Sequence, residues 1–325
     1  MNPAYQLDNL RFLYGEKVAL SLPYLTVNAG KVTALIGANG CGKSTLLNLL
    51  AFMEAPDTGK IAFFGEQVRP EQLFCFRKRV GFLPQKPYML RGTVLDNLKL
   101  ALKLHGTHKA VWQKNSNAAL ERLAINHLGA QQAAQLSGGE LQKSALARVL
   151  VTEPDVLLLD EPFAYLDQGS ARLLETFIKD YQGTLVFSTH DRLQGLALAD
   201  EVISLVAGEQ IKSPLINLYH GSCNNHIFNT GKIDIILTSD MVSCRHVSID
   251  PHEIVLSRHA LVSSIRNQFQ GRVMTISEEM GKVRIAVAAG ELFQVLITYE
   301  ALHDLALNLG DCIWVNFKSN SVMGF

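Results

Sequence analysis

The chain lacks paired cysteines: five are scattered through 325 residues, at Cys41, Cys75, Cys223, Cys244 and Cys312, with no CxxC among them. That spacing argues against a disulfide framework and fits a reducing compartment. A charge excess is also missing, since 30 Lys and Arg balance 30 Asp and Glu. No basic field therefore advertises nucleic-acid binding. No apolar run reaches the ~18 residues of a membrane-spanning helix, and the first residues show no basic start leading into an apolar core, so no signal peptide is expected. With 24 glycines, ten prolines and 48% apolar residues, the chain is neither collagen-like nor disordered. Charged residues are only 18%, below the ~25% of an average soluble protein, which points to a surface partly covered by a partner. The expectation is a cytoplasmic protein of two domains, at ~150 residues each.

What is present reads first as an α/β unit. Residues 5–13 and 18–27 alternate apolar and polar positions around Tyr14-Gly15 and predict an antiparallel pair. Residues 32–36 are a short apolar run, followed by a glycine-rich loop at 37–42 and a helical pattern at 44–51. Apolar residues at helical spacing predict two helices, 93–105 and 110–125, inserted before the apolar strands 156–159 and 185–188. After Ser213-Pro214 the helical period fades and short strand-like runs take over: 232–237, 247–249, 254–256, 271–276, 282–287, 292–297 and 312–317. This shift predicts a domain boundary and a small β-barrel tail.

The motif that decides the chemistry is Gly37-Ala-Asn39-Gly40-Cys41-Gly42-Lys43-Ser44-Thr45, a G-x-x-x-x-G-K-S phosphate cradle. Its glycines let successive N–H groups point at phosphate oxygens, and the helix that follows aims its positive end at the same anion. Lys43 is expected on the β/γ-phosphates and Ser44 on Mg²⁺. The apolar strand ending in Asp160-Glu161 supplies two carboxylates where open α/β sheets bind ligands. Asp160 then suits the metal, and Glu161 suits the general base for an attacking water.

With these parts in place, Leu136-Ser137-Gly138-Gly139-Glu140 resembles the signature motif of ATP-binding cassette (ABC) transporter ATPases. The likeness continues through Ala147-Arg148, Leu166-Asp167 and Ser188-Thr189-His190-Asp191. Departures are Glu140 where Gln is usual, Lys143 where Arg is frequent, and Ala164-Tyr165 where smaller residues are commoner. The resemblance covers about residues 5–211. It implies that Tyr14 stacks on adenine, and that Gln85 links Mg²⁺ and the γ-phosphate to a helical subdomain at about 86–135. It also implies that Ser137, Gly138 and Gly139 cap the γ-phosphate held by a second subunit, that Asp167 crosses that interface, and that His190 touches the γ-phosphate and polarises the water. A head-to-tail homodimer sandwiching two ATP molecules follows from it, with a membrane permease docked near Lys86, Pro87, Tyr88, Met89 and Leu90.

The tail, from Ser263-Ser264-Ile265-Arg266-Asn267 to Lys318-Ser319-Asn320-Ser321-Val322, resembles the Mop or TOBE oxyanion-binding module of molybdate and tungstate importer ATPases. Tyr299 and Phe317 depart from its pattern. The expected organisation is an ABC ATPase domain at 1–212, a β-rich connector at 213–257 and an all-β, OB-like Mop/TOBE barrel at 258–325. Ser264, Arg266, Lys318, Ser319 and Ser321 are donors suited to a tetrahedral dianion. A solvated rim serving only dimer contact is the alternative. The resemblance implies an oxyanion importer ATPase using ATP and Mg²⁺, peripheral on the cytoplasmic face of the inner membrane, fed by an extracytoplasmic binding protein, with the tail as an oxyanion sensor. Sulfate, phosphate and polyamine import, and a soluble ABC ATPase acting on a ribosome or protein complex, are the rival readings.

Two further expectations concern sulfur. Cys41, beside Lys43 and a helix start, is expected to have a lowered thiol pKa and to be modified in an ATP-protectable way. His220, Cys223, His226, Cys244, His246 and His252 are metal-ligand types, but their spacing matches no recognised site, and a polar hairpin is the plainer reading.

Overall fold

Residues 3–164, 166–211, 217–239, 241, 244–279 and 281–324 are described by the computed structural model. The chain divides into two units, Met1–Lys212 and Ser213–Phe325. The expected transition at Ser213-Pro214, like Tyr165, lies outside the described residues.

The first unit begins with β1 (Pro3–Tyr14) and β2 (Lys17–Asn28), paired antiparallel. Next come β3 (Val32–Ile36), α1 (Lys43–Leu50), β4 (Thr58–Phe63) and β5 (Glu66–Gln67). Strands β2-β1-β4-β5 make one sheet. The remaining elements are α2 (Leu73–Arg79), β6 (Val80–Leu83), α3 (Val94–His105), α4 (Trp112–Arg122), α5 (Gly138–Leu150), β7 (Val156–Leu159), α6 (Gln168–Lys179), β8 (Thr184–Thr189), α7 (Arg192–Leu198), β9 (Glu201–Val206) and β10 (Glu209–Ile211). They complete a six-stranded sheet of order β10-β9-β3-β8-β7-β6, parallel except for β10.

Every residue of β3, β7 and β8 is buried, which is why these strands read as continuous apolar runs. Their alternation sends Leu35, Leu158 and Val186 into the core shared with β1, β2 and α1. Ala34, Leu157 and Phe187 face the second core, beneath α3, α4 and α5. Each fully buried side chain of the size of Leu or Phe contributes about 1.5–3 kcal/mol. The functional consequence is positional. Because β3, β7 and β8 are adjacent and parallel, the segments that follow them all emerge at one edge of the sheet.

The helical insertion departs from expectation at its second helix. A 3₁₀ turn at Lys109–Val111 precedes α4, which ends at Arg122 rather than running to 125. Ala124 takes a φ of 54°, and a left-handed residue cannot continue a right-handed helix. Thr93 and Asp96 form a capping box that starts α3.

The second unit contains β11 (Asn217–His220), β12 (Ser222–Asn224), β13 (Ile227–Asn229), β14 (Asp234–Ile236), β15 (His246–Ile249), β16 (Val255–Ser257), β17 (Asn267–Glu279), β18 (Lys282–Ala289), β19 (Glu291–Ile297), α8 (Tyr299–Asp304), β20 (Cys312–Phe317) and β21 (Val322–Gly324). The main sheet has the order β16-β20-β17-β18-β19, flanked by β11-β15-β21 and β12-β13-β14. The buried Asn217 amide bonds Gln294 in both directions, at 2.7 and 2.8 Å, and ties β11 to the edge of β19. One core, with Phe269, Phe293 and Phe317 in mutual ring contact, runs from Tyr219 to Val322. The 217–257 stretch shares that core, so it belongs to the same body and is not a separate connector in packing. The unit also contains one short helix, α8, capped by the Thr298 hydroxyl.

Candidate functional site

The loop after β3 places Gly42 at the N-cap of α1 with a φ of 107°. A Cβ there would meet Leu20 Cδ2 at 2.7 Å and Ala19 O at 3.0 Å, so both conformation and space demand glycine. Lys43 is buried, and its Nζ donates to Gly37 O at 2.9 Å and Ala38 O at 3.3 Å, folding the side chain back over its own loop. Ala38, Asn39, Gly40 and Ser44 are exposed, whereas Thr45 is buried.

At the end of β7 the chain delivers Asp160 and Glu161, both buried. Glu161 Oε1 lies 3.6 Å from Lys43 Nζ, and Glu161 Oε2 lies 2.8 Å from His190 Nδ1. A carboxylate only accepts, so Nδ1 carries the proton toward it and Nε2 faces elsewhere. Glu161 has a φ of 46°, a conformation that costs a non-glycine residue about 1–2 kcal/mol. The structure thus brings together Lys43, Asp160, Glu161 and His190 from three adjacent strand ends. A buried carboxylate between a lysine and a histidine can accept a proton from a water and become the neutral acid, leaving hydroxide to attack.

The other expected residues sit around this cluster in separate settings. Gln85 is exposed after β6. Tyr14 is 53% exposed at the end of β1, its ring edge-on to Phe12 at 5.0 Å. Ser137 caps α5: its hydroxyl donates to Glu140 Oε2 at 2.8 Å, and its N–H reaches the same oxygen at 2.8 Å. These bonds hold the Glu140 carboxyl below the usual carboxylate range. Gly138 and Gly139 open the helix behind it. Asp167 caps α6 by accepting from the Ser170 N–H at 2.9 Å and hydroxyl at 3.0 Å, bonds that lower its pKa. Among the described residues, Ser137 and Asp167 bond only within their own helix starts.

Cys41 corrects an expectation. The thiol is buried, and desolvation raises its pKa, outweighing the lowering by Lys43. It is a packed thiol in the cradle wall, not an activated one.

Sequence reasoning gave no role to Ser188, which it placed only within the Ser188-Thr189-His190-Asp191 motif, and did not single out Gln142. Ser188, wholly buried on β8, donates to Asp160 Oδ1 at 2.6 Å and accepts the Glu161 N–H at 2.8 Å. Gln142, buried on α5, donates to Pro162 O at 3.2 Å, just past the two acids. None of these partners is near in sequence, so no local signal announces the contacts.

In the second unit, the pairing of Asn267 with Phe317 puts Arg266 and Lys318 at adjoining ends of β17 and β20. Ser264, Arg266 and Lys318 are exposed. Ser319 Oγ is buried with no hydrogen-bond partner among the described residues, whereas Ser321 gives its hydroxyl to Glu253 Oε2 at 3.0 Å. Four of the His and Cys residues of 220–252 come together in pairs, whereas His226 meets Met241 O and His252 meets Asp250 and Lys282. His220 and His246 approach to 3.3 Å, and Cys223 lies against Cys244, whose thiol pKa is pushed up to about 11 by burial and by that neighbour. Among the described residues, no group of three or more His, Cys, Asp or Glu converges as a metal site. No helix of the described residues is long and apolar enough to cross a membrane.

Comparison with known proteins agrees with this geometry. The ABC transporter family profile matches residues 21–164, and the TOBE domain profile matches residues 263–324. The sulfate/thiosulfate import ATP-binding protein CysA of Pectobacterium atrosepticum is 30% identical over 319 residues, covering 93% of this chain and 92% of that protein. The molybdate/tungstate import ATP-binding protein WtpC of Pyrococcus horikoshii is 29% identical over 330 residues, covering 92% and 93%. Among solved structures, CbiO1 of Clostridium perfringens, part of an ABC transporter complex, aligns with a TM-score of 0.60 at 27% identity, over 65% of this chain and 88% of that one. A dimeric ATP-binding cassette in its post-hydrolysis state with ADP and Pi aligns with a TM-score of 0.60 at 25% identity, over 64% and 97%. With its phosphate cradle, its paired acids and a TOBE domain in one chain, the protein belongs to the ATP-binding, ATP-hydrolysing subunits of ABC transporters.

Proposed function

We propose that this chain powers import of a tetrahedral oxyanion, tungstate or molybdate, with the second unit as its intracellular oxyanion sensor. The observation that carries the ATPase half is Glu161, held between Lys43 and His190 at the mouth of the cradle. In this reading Glu161 is the general base, and His190 orients the water and touches the γ-phosphate. Gly37, Asn39, Gly40, Cys41 and Gly42 cradle phosphate with their backbone, Lys43 and Thr45 line it, and Tyr14 stacks on adenine. Ser44, Asp160 and Gln85 offer only oxygen ligands, a set that fits Mg²⁺. Bound there, Mg²⁺ would offset the charge of the phosphates.

Half of each catalytic site belongs to a second copy. Ser137, Gly138 and Gly139 reach the γ-phosphate held by the partner subunit, with Asp167 at the interface. The exposed Tyr88 and Leu90 are where a membrane permease docks, on the cytoplasmic face and served by an extracytoplasmic binding protein. The domains are an ABC ATPase at 1–212, with a helical subdomain at about 86–135, and an oxyanion-binding barrel at 258–325 preceded by the β-rich segment 213–257, whose described residues share the barrel's core.

Import is supported by relatives that import sulfate/thiosulfate or molybdate/tungstate, all oxyanions. Arg266 and Lys318, at adjoining strand ends, supply two positive charges for a dianion, with Ser264, Ser319 and Ser321 as donors. Sulfate is the second reading, favoured by the sulfate/thiosulfate relatives. The test is calorimetric titration with tungstate, molybdate, sulfate and phosphate alongside ATP turnover. Saturable tungstate or molybdate binding that slows turnover supports the proposal. Binding of sulfate alone transfers it to the second reading, and no anion binding removes the sensor.

A further inference from the structure

We propose that Ser188 is a positioning residue for ATP hydrolysis, because one hydroxyl sets both the Asp160 carboxylate and the backbone that aims Glu161. This rests on Glu161 being the base and Asp160 the metal-side acid.

The geometry begins with the ladder. β7 pairs with β8 in parallel as far as Leu159 with Phe187, so Ser188 is the next residue on β8 just as β7 ends. On its other side Ser188 pairs with Leu35 of β3, the strand that feeds the cradle. It therefore stands on the strand between the two that carry the chemistry. Where the chain turns at Asp160-Glu161, the Asp160 N–H goes to Leu83 O on β6 at 2.9 Å. The Glu161 N–H goes instead to the Ser188 side chain. Ser188 has one proton to donate, and Asp160 Oδ1 receives it at 2.6 Å. Both bonds are buried and complementary.

Glu161 sits in the left-handed region, which a non-glycine residue holds only where its surroundings oblige it to. The N–H anchor on Ser188 is such an obligation. It fixes the direction in which the Glu161 side chain leaves the backbone, toward Lys43 on one side and His190 on the other. The bond to Asp160 Oδ1 orients that carboxylate and leaves Oδ2 turned away from Ser188. A hydrophobic residue of similar size would preserve the strand and lose both constraints. Small errors of placement cost large factors in rate.

The experiment replaces Ser188 by Ala and by Thr in the full chain, each also in a Glu161→Gln background. For Ser188→Ala, kcat should fall about 10- to 100-fold with the ATP KM within about twofold. Ser188→Thr, which keeps the hydroxyl, should recover most of the rate. In the Glu161→Gln background Ser188→Ala should cost clearly less than in the wild type, since of the two groups it sets only Asp160 still acts. Without nucleotide, amide hydrogen exchange at Glu161 should accelerate at least about tenfold in Ser188→Ala and stay slow in Ser188→Thr. Wild-type kcat and wild-type protection in Ser188→Ala would overturn the inference, as would an equal loss in both backgrounds. Should Ser188→Ala fail to fold, Ser188→Cys, near in size but a weak donor, takes its place with the same expectations. Normal turnover in Glu161→Gln alone would instead remove the base assignment beneath the proposal.

Discussion

The two units make their candidate sites in opposite ways. In the first, Lys43, Asp160, Glu161 and Ser188 are buried where adjacent parallel strands end, Lys43 held by its own loop and the other three by one another across strands β7 and β8. In the second, Ser264, Arg266 and Lys318 are exposed at the rim of an antiparallel sheet, and Ser321 is already engaged by Glu253. The first arrangement is preorganised and intolerant of change. The second must gather its donors around a ligand, so each one contributes less and can be lost more cheaply.

The largest effect expected from that contrast is in the first unit. Glu161→Gln should lower ATP turnover about 10²- to 10⁴-fold while ATP binding persists, measured by phosphate release and by nucleotide fluorescence titration. Full turnover in that variant would erase the difference between the units. Next in size, Phe293→Ala removes a fully buried ring from the single core of the second unit and should destabilise that unit by about 3–5 kcal/mol. Differential scanning calorimetry should show one transition moving down and another staying in place. A joint shift would mean that the two units unfold as one.

At the rim, Arg266→Ala with Lys318→Ala should weaken tungstate or molybdate binding by about tenfold and leave basal turnover unchanged. Unaltered anion binding would take the site away from these strand ends. Smallest of all, Cys41 should be the slowest of the five cysteines to alkylate in the native protein, because it alone of the five is buried and burial also raises its pKa. The exposed Cys75 and Cys312 should react first, and its own rate should rise as pH approaches the raised pKa, as read by mass spectrometry. Fast, ATP-protected loss of activity at neutral pH would restore the activated thiol.

What could be read from the amino acids follows the same division. β3 and β7 were legible because strands buried on both faces must be apolar throughout, and Asp160 marks where the apolar run of β7 ends. The phosphate cradle was legible because its glycines, Lys43 and Ser44 fall within one short segment at a fixed spacing. β12 and β13 were not, since three-residue strands carrying Ser, Asn and Ile on exposed positions show no period. α8 escaped because it is six residues long and begins on a cap that ends a strand pattern. Cys41 was misjudged because its charged neighbours are visible in sequence, whereas the packing that desolvates it is not. Ser188 carries its role through partners 27 and 28 residues away. Only the parallel pairing of β7 and β8 brings them together.

The central claim is that a cradle on one chain and the Ser137-Gly138-Gly139 turn on another close around the same nucleotide. Light scattering of Glu161→Gln with Mg-ATP measures this directly, because ATP then stays bound without being consumed. The account predicts a molecular mass twice that of the chain, reverting to one when ADP replaces ATP. A mass equal to one chain at saturating Mg-ATP would contradict it.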